Sequence, residues 1–124
     1  MTEQPGPRVL LAEDYFVLAR SLHHLLESRG FRVVGPAPSI AAGLELLDEQ
    51  PVDAAILDVD LQGESAAPIA ARLRDLGRPF LFITGFGDLS PLPLDLRDAP
   101  FVHKPVDIAV LVERIEALLA SDQS

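Results

Sequence analysis

The side chains in this sequence able to do chemistry together are the acidic pair Glu13-Asp14, Asp58, the Thr84 hydroxyl and Lys104. Each stands directly after a short apolar run. Three carboxylates crowded together repel one another, and one of them is driven toward protonation. A hard divalent cation removes that conflict. Mg²⁺ takes oxygen ligands and typically combines a few carboxylates with water and phosphate oxygens. Lys104 is a point charge suited to a phosphoryl oxygen, and Thr84 with nearby backbone N–H groups can complete the cradle. Asp58 is then the nucleophile, because carboxylates can form acyl phosphates. Mg²⁺ and Lys104 would offset charge on the transferring group.

The elements that must position these groups can be read from apolar patterning. Ala54–Leu57 runs without alternation into Asp58, which fits a strand buried on both faces of a parallel sheet. Arg8–Ala12 has the same design and leads into Glu13. Pro79–Ile83 leads into Thr84-Gly85, and Pro100–His103 into Lys104-Pro105. A fifth strand is expected at Phe31–Val34, followed by a loop Gly35–Pro38. Helical spacing predicts helices over Tyr15–Arg29, over Ile40–Gln50 with Ser39 as N-cap, over Ser65–Leu76 with Pro68 in its first turn, and over Ile108–Ala120 capped by Asp107. Val59–Glu64 reads as a loop. His23 and His24 are adjacent, cannot face the same way on a helix, and read as surface or boundary residues. Strand–helix alternation argues for a doubly wound parallel α/β sheet. All the groups of interest then lie at one edge, where ligands of such sheets bind.

The segment Gly85–Ala99 departs from that plan. A crossover helix is due there, but the sequence offers Gly85, Gly87, Pro91 and Pro93. A short, distorted or absent helix is expected, with one turn near Leu94–Arg97.

At 124 residues and 48% hydrophobic, the chain is long enough for one domain with a real core. Residues 8–120 are expected to form it, between flexible tails at 1–7 and 121–124. The formal net charge of −9 repels phosphate backbones, so direct nucleic-acid binding is not expected. No cysteine is present, which excludes a disulfide framework, a thiolate metal site and a thiol nucleophile. No apolar run approaches a membrane span, and a cytoplasmic protein is expected.

Taken jointly, the acidic pair after the first strand, Asp58 after the third, Thr84-Gly85 after the fourth and Lys104-Pro105 after the fifth resemble a response-regulator receiver domain of two-component signalling. The resemblance spans about Arg8 to Ala120. It implies a flavodoxin-like fold with strand order 2-1-3-4-5. It implies Asp58 as phosphoacceptor from a sensor histidine kinase or histidine phosphotransfer protein, and output through a downstream protein partner or a phosphorelay. Mg²⁺ would be held by Glu13, Asp14, Asp58 and the backbone carbonyl of Asp60, with Asp14 and Asp58 as direct side-chain ligands. The Lys104–Pro105 peptide would be cis. Gly85 would leave room for the phosphoryl group. Thr84 and Phe101 match the family's switch positions, and Asp60 and Phe86 those that tune phosphoryl lifetime. Phe82-Ile83-Thr84-Gly85-Phe86 further resembles the Phe-x-Thr-Gly signature of stand-alone receivers associated with HWE-type kinases.

No independent enzyme activity is expected beyond Mg²⁺-dependent self-phosphorylation and slow autodephosphorylation. Two alternatives compete. One is a pseudo-receiver that binds a partner without phosphorylation. The other is a haloacid-dehalogenase-like phosphatase, suggested by Asp58-Val-Asp60. Against the phosphatase, Gln62 replaces the expected Thr or Val, and the motif lies on the third strand rather than the first.

Overall fold

The computed structural model describes residues 6–85, 89–90 and 92–122. Five parallel strands form the central sheet: β1 (Arg8–Ala12), β2 (Arg32–Ala37), β3 (Ala54–Asp58), β4 (Phe80–Thr84) and β5 (Phe101–His103). Their spatial order is β2-β1-β3-β4-β5, the expected 2-1-3-4-5. The flavodoxin-like α/β architecture follows from that order and from helices on both faces. The register aligns Ala12 with Leu57 across β1 and β3, Asp58 with Ile83 across β3 and β4, and Thr84 with His103 across β4 and β5. The strands therefore end level, and the residues that follow them meet at one edge.

Both faces of the sheet are dry. Val9, Leu11, Ile56, Leu81, Ile83 and Val102 point to one side, where they pack with α1 (Phe16–Ser28) and α4 (Ile108–Asp122). Leu10, Ala12, Ala55, Leu57 and Phe82 point to the other, toward α2 (Ile40–Glu49) and α3 (Ala67–Asp75). Burial on both faces is why these strands read as continuous apolar runs.

Helix ends follow local chemistry. The Ser39 hydroxyl accepts the Ala42 N–H at 3.1 Å, and Asp107 Oδ1 accepts the Ala109 N–H at 2.9 Å. Pro68 lies in the first turn of α3. The last helix runs through Asp122, so residues 121 and 122 continue it rather than starting a tail.

Two expected loops carry strand structure. The predicted loop at Gly35–Pro38 is in part a continuation of β2, which runs to Ala37 through a cis Gly35–Pro36 peptide and a register shift beside Leu10–Ala12. Gly35 has φ +106°, a conformation open to glycine, and this lets Ala37 rejoin the ladder opposite Ala12. The predicted loop Val59–Glu64 contains one arm of a ribbon, in which Asp60–Leu61 pairs antiparallel with Glu64–Ser65. Gln62 and Gly63 form its tip with φ +54° and +84°, the two positive values that a type I′ turn requires.

The fourth crossover is expected to be short, distorted or absent as a helix; its residues 86–88 and 91 lie outside the described residues. Among its described residues the helical element is a single 3₁₀ turn, Leu94–Leu96. Leu89, Leu92 and Leu96 from this segment are buried in the α2/α3-side core. Residues 1–5 and 123–124 of the expected tails lie outside the described residues.

Candidate functional site

Asp58 is the last residue of a strand with every position buried, and its own exposure is 6%. Glu13 follows β1 and is 1% exposed, while Asp14, next in the chain, is exposed. Carboxylate oxygens of Glu13, Asp14 and Asp58 lie within 4.8 Å of one another. The three acids predicted from sequence are thus brought together.

Each acid is held by one backbone amide. Tyr15 N–H donates to Glu13 Oε2 at 3.0 Å, Gln62 N–H to Asp14 Oδ2 at 2.8 Å, and Asp60 N–H to Asp58 Oδ1 at 3.1 Å. Lys104 reaches across from the end of β5. Its Nζ donates to Asp58 Oδ2 at 2.8 Å and stands 3.0 Å from Glu13 Oε1. The second contact is an ion pair outside hydrogen-bond geometry, and Glu13 Oε1 is buried without a hydrogen-bond partner. The Lys104 backbone is fixed by its N–H to Thr84 C=O, 2.8 Å, and the Lys104–Pro105 peptide is cis.

Burial dominates the electrostatics of Glu13. It raises the carboxyl from 4.5 to about 7, with Asp58 adding to the rise; the Tyr15 amide and Lys104 oppose it. For Lys104, burial works against the charge but is outweighed by the hydrogen bond to Asp58 and the ion pair with Glu13, and the ammonium is held above its ordinary pKa. This is a site of two buried carboxylates and one exposed one, with a single ammonium between the buried pair. Its donor set is all oxygen, which suits a hard divalent cation such as Mg²⁺. Glu13 Oε1 supports that fit, because this buried carboxylate oxygen accepts no hydrogen bond and is met only by the misaligned Lys104 ammonium.

The remaining predicted residues surround this centre. Thr84 is fully buried at the end of β4. Gly85 is exposed, and a Cβ there would meet nothing within 4 Å. Asp60 is exposed and begins the ribbon. Phe101 is half-buried, packs on the α2/α3-side core, and meets the His103 ring edge-on at 5.1 Å between centroids. Phe86 lies outside the described residues. His23 is half-exposed, 3.8 Å from Glu27 one turn on, and His24 is exposed, consistent with surface positions. Sequence reasoning missed the Gln62 amide: a Gln-Gly pair is a weak turn signal beside Asn-Gly, and a backbone donor leaves no mark in residue type.

The family model described as the response regulator receiver domain matches residues 9–116. Among curated relatives, the transcriptional regulatory protein CseB of Streptomyces coelicolor is 35% identical over 114 residues, covering 90% of this chain and 48% of CseB. The chain spans about half the length of the curated relatives it matches. Among solved structures, the response regulator PhyR from Brucella abortus superposes with a TM-score of 0.81 at 26% identity, covering 98% of this chain and 51% of PhyR. SdrG from Sphingomonas melonis Fr1 gives a TM-score of 0.79 at 31% identity, covering 94% of this chain and 99% of SdrG. The match decides against the haloacid-dehalogenase-like alternative, and among the described residues no helix is long and apolar enough to cross a membrane. A family model spanning most of the sequence, a 31% identical structure matched almost end to end and the 2-1-3-4-5 sheet agree: the chain belongs to the response regulator receiver domain family of two-component systems.

Proposed function

We propose that Asp58 accepts a phosphoryl group from a sensor histidine kinase or a histidine phosphotransfer protein, and that a downstream protein partner or a phosphorelay reads the result. The observation that carries this reading is the contact of Lys104 Nζ with Asp58 Oδ2, 2.8 Å, beside two further carboxylates at the open edge of the sheet. In the transfer, an Asp58 oxygen attacks phosphorus while the bond to the donor's imidazole nitrogen breaks, and hydrolysis later returns the carboxylate and inorganic phosphate. Lys104, now on the Asp58 carboxylate, would move to a phosphoryl oxygen. Glu13, Asp14, Asp58 and the Asp60 carbonyl would hold Mg²⁺, which supplies charge neutralisation for the incoming phosphoryl group. The Thr84 hydroxyl would take up a phosphoryl oxygen and release space for Phe101, a two-state element of the kind that couples such sites to a surface. Gly85 leaves the approach uncrowded. Asp60 and Phe86 are assigned to phosphoryl lifetime. Net charge −9 favours a protein partner over direct contact with nucleic acid, in a cytoplasmic setting.

The test is intact mass over time with Mg²⁺ and a small phosphodonor such as acetyl phosphate. One added phosphoryl group, metal-dependent, absent in Asp58→Asn and lost on standing, is the expected result. No label with the phosphodonor and no response to the beryllium–fluoride phosphoryl mimic would overturn it in favour of a phosphorylation-independent binding module.

A further inference from the structure

Gln62 stands apart from its neighbours in backbone conformation. It is the one non-glycine residue with positive φ, +54°, among the described residues, and it occupies the tip of the ribbon that follows β3. Side chains other than glycine avoid this region, and when they occupy it near a site the strain commonly serves the site. Here the conformation directs the Gln62 N–H, across 48 positions of sequence, onto Asp14 Oδ2 at 2.8 Å. Asp14 is the exposed member of the acid cluster. An exposed carboxylate is free to rotate into water, and the three acids converge only if something stops it.

The same ribbon strand supplies a second hold. Asp60 N–H donates to Asp58 Oδ1, so amides two residues apart fix two carboxylates that arrive from different strands. The ribbon is in turn fixed to the sheet by Val59 N–H to Ile83 C=O, 3.1 Å, and its two ends are joined by Ala66 N–H to Val59 C=O, 2.9 Å. With Asp14 held in this way, its carboxylate still lies within 4.8 Å of the Glu13 and Asp58 oxygens. A carboxylate has lone pairs to spare after accepting one amide, so holding and metal ligation are compatible.

We infer that the Gln62 backbone amide, presented by the left-handed tip of the ribbon, is a positioning group that sets Asp14 for a divalent cation. This rests on the cation reading given under the proposed function. It assigns to the Gln62 amide the outer-layer role that orients ligands at metal sites, where loss commonly costs 10- to 100-fold in affinity.

The substitution Gln62→Pro removes the N–H and forbids positive φ, whereas Gln62→Ala and Gln62→Gly keep the donor. Calorimetric Mg²⁺ titration of the full chain should show Q62P weakened about tenfold or more. Q62A and Q62G should stay within about twofold of the parent, since the side chain has no part in the bond. Parent-like affinity in Q62P overturns this inference alone. A parent protein that takes up no Mg²⁺ overturns it together with the cation reading. Amide exchange by NMR gives a check that survives misfolding of Q62P. The Gln62 amide of the parent should be protected before Mg²⁺ is added and remain so afterwards; free exchange before Mg²⁺ overturns the pre-positioning.

Discussion

The connection after β3 and the connection after β4 start side by side at the carboxyl edge of the sheet, yet they are held by different forces. The ribbon at 60–65 is polar and exposed over much of its length, and it is tied down through backbone amides on Asp58 and Asp14. Among its described residues the 89–99 segment contributes a single 3₁₀ turn, and it is tied down by Leu89, Leu92 and Leu96 in the core. On its outer side Arg74 of α3 grips Asp95 twice, through the carboxylate and through the backbone carbonyl, each at 3.2 Å. The first connection is therefore sensitive to the charge state of the acids, and the second to packing.

The comparison breaks most visibly at Leu92. Leu92→Ala should cost about 2–5 kcal/mol, the usual range for a cavity left by a fully buried leucine. Denaturant or thermal melts would show it, while Mg²⁺ affinity should change little. Stability loss with an equal loss of Mg²⁺ affinity would mean that the two connections are one unit.

Glu13 tests the polar side. Its folded pKa of about 7 lies above the ordinary 4.5, so between these values the folded state holds more protons than the unfolded chain. Stability then falls as pH rises from 4.5 to 7, and the cost of the charged form persists above 7. Glu13→Gln should remove that slope and raise stability at pH 8 by up to about 3.5 kcal/mol, the shift of 4.5 to about 7 at 1.4 kcal/mol per pKa unit. Protons and cations would compete for Glu13, so Mg²⁺ affinity of the parent should climb as pH passes 7. Melting curves and titrations across pH 5–8 check both; an unchanged slope in the Gln variant would place the pH sensitivity elsewhere.

Gln62→Gly relieves the left-handed backbone and should stabilise by about 1 kcal/mol, visible as a small rise in midpoint. Arg74→Ala should cost less than 1 kcal/mol, because the pair with Asp95 is exposed. Its signature is faster amide exchange confined to the described residues of 92–99. Exchange that also quickens in the ribbon would erase the distinction between the two connections.

Much of this was legible beforehand because it is written in residue types. Apolar runs ending in Asp58, Thr84 and Lys104 gave the strands and the edge, and Ser39, Pro68 and Asp107 marked helix starts within a residue or two. The single turn at Leu94–Leu96 in the described part of the fourth crossover was equally readable, since one turn near Leu94–Arg97 is expected there. The extension of β2 through Gly35-Pro36 was not, because those residues signal a turn and only the partner strand reveals the bulge. The ribbon escaped for a similar reason. Its pairing is two residues per arm, too short for any periodicity, and its contribution to the site comes from amides that every non-proline residue possesses.

The acid pocket also carries its own optical probe. The sequence has one tyrosine and no tryptophan. That tyrosine is Tyr15, whose ring is largely exposed while its amide is bonded to Glu13. Intrinsic emission excited in the tyrosine band therefore arises from a single ring, on the residue that follows the acidic pair in the chain. Titrations with cations, protons or phosphoryl mimics can be followed on the unlabelled protein, with no background from elsewhere in the chain.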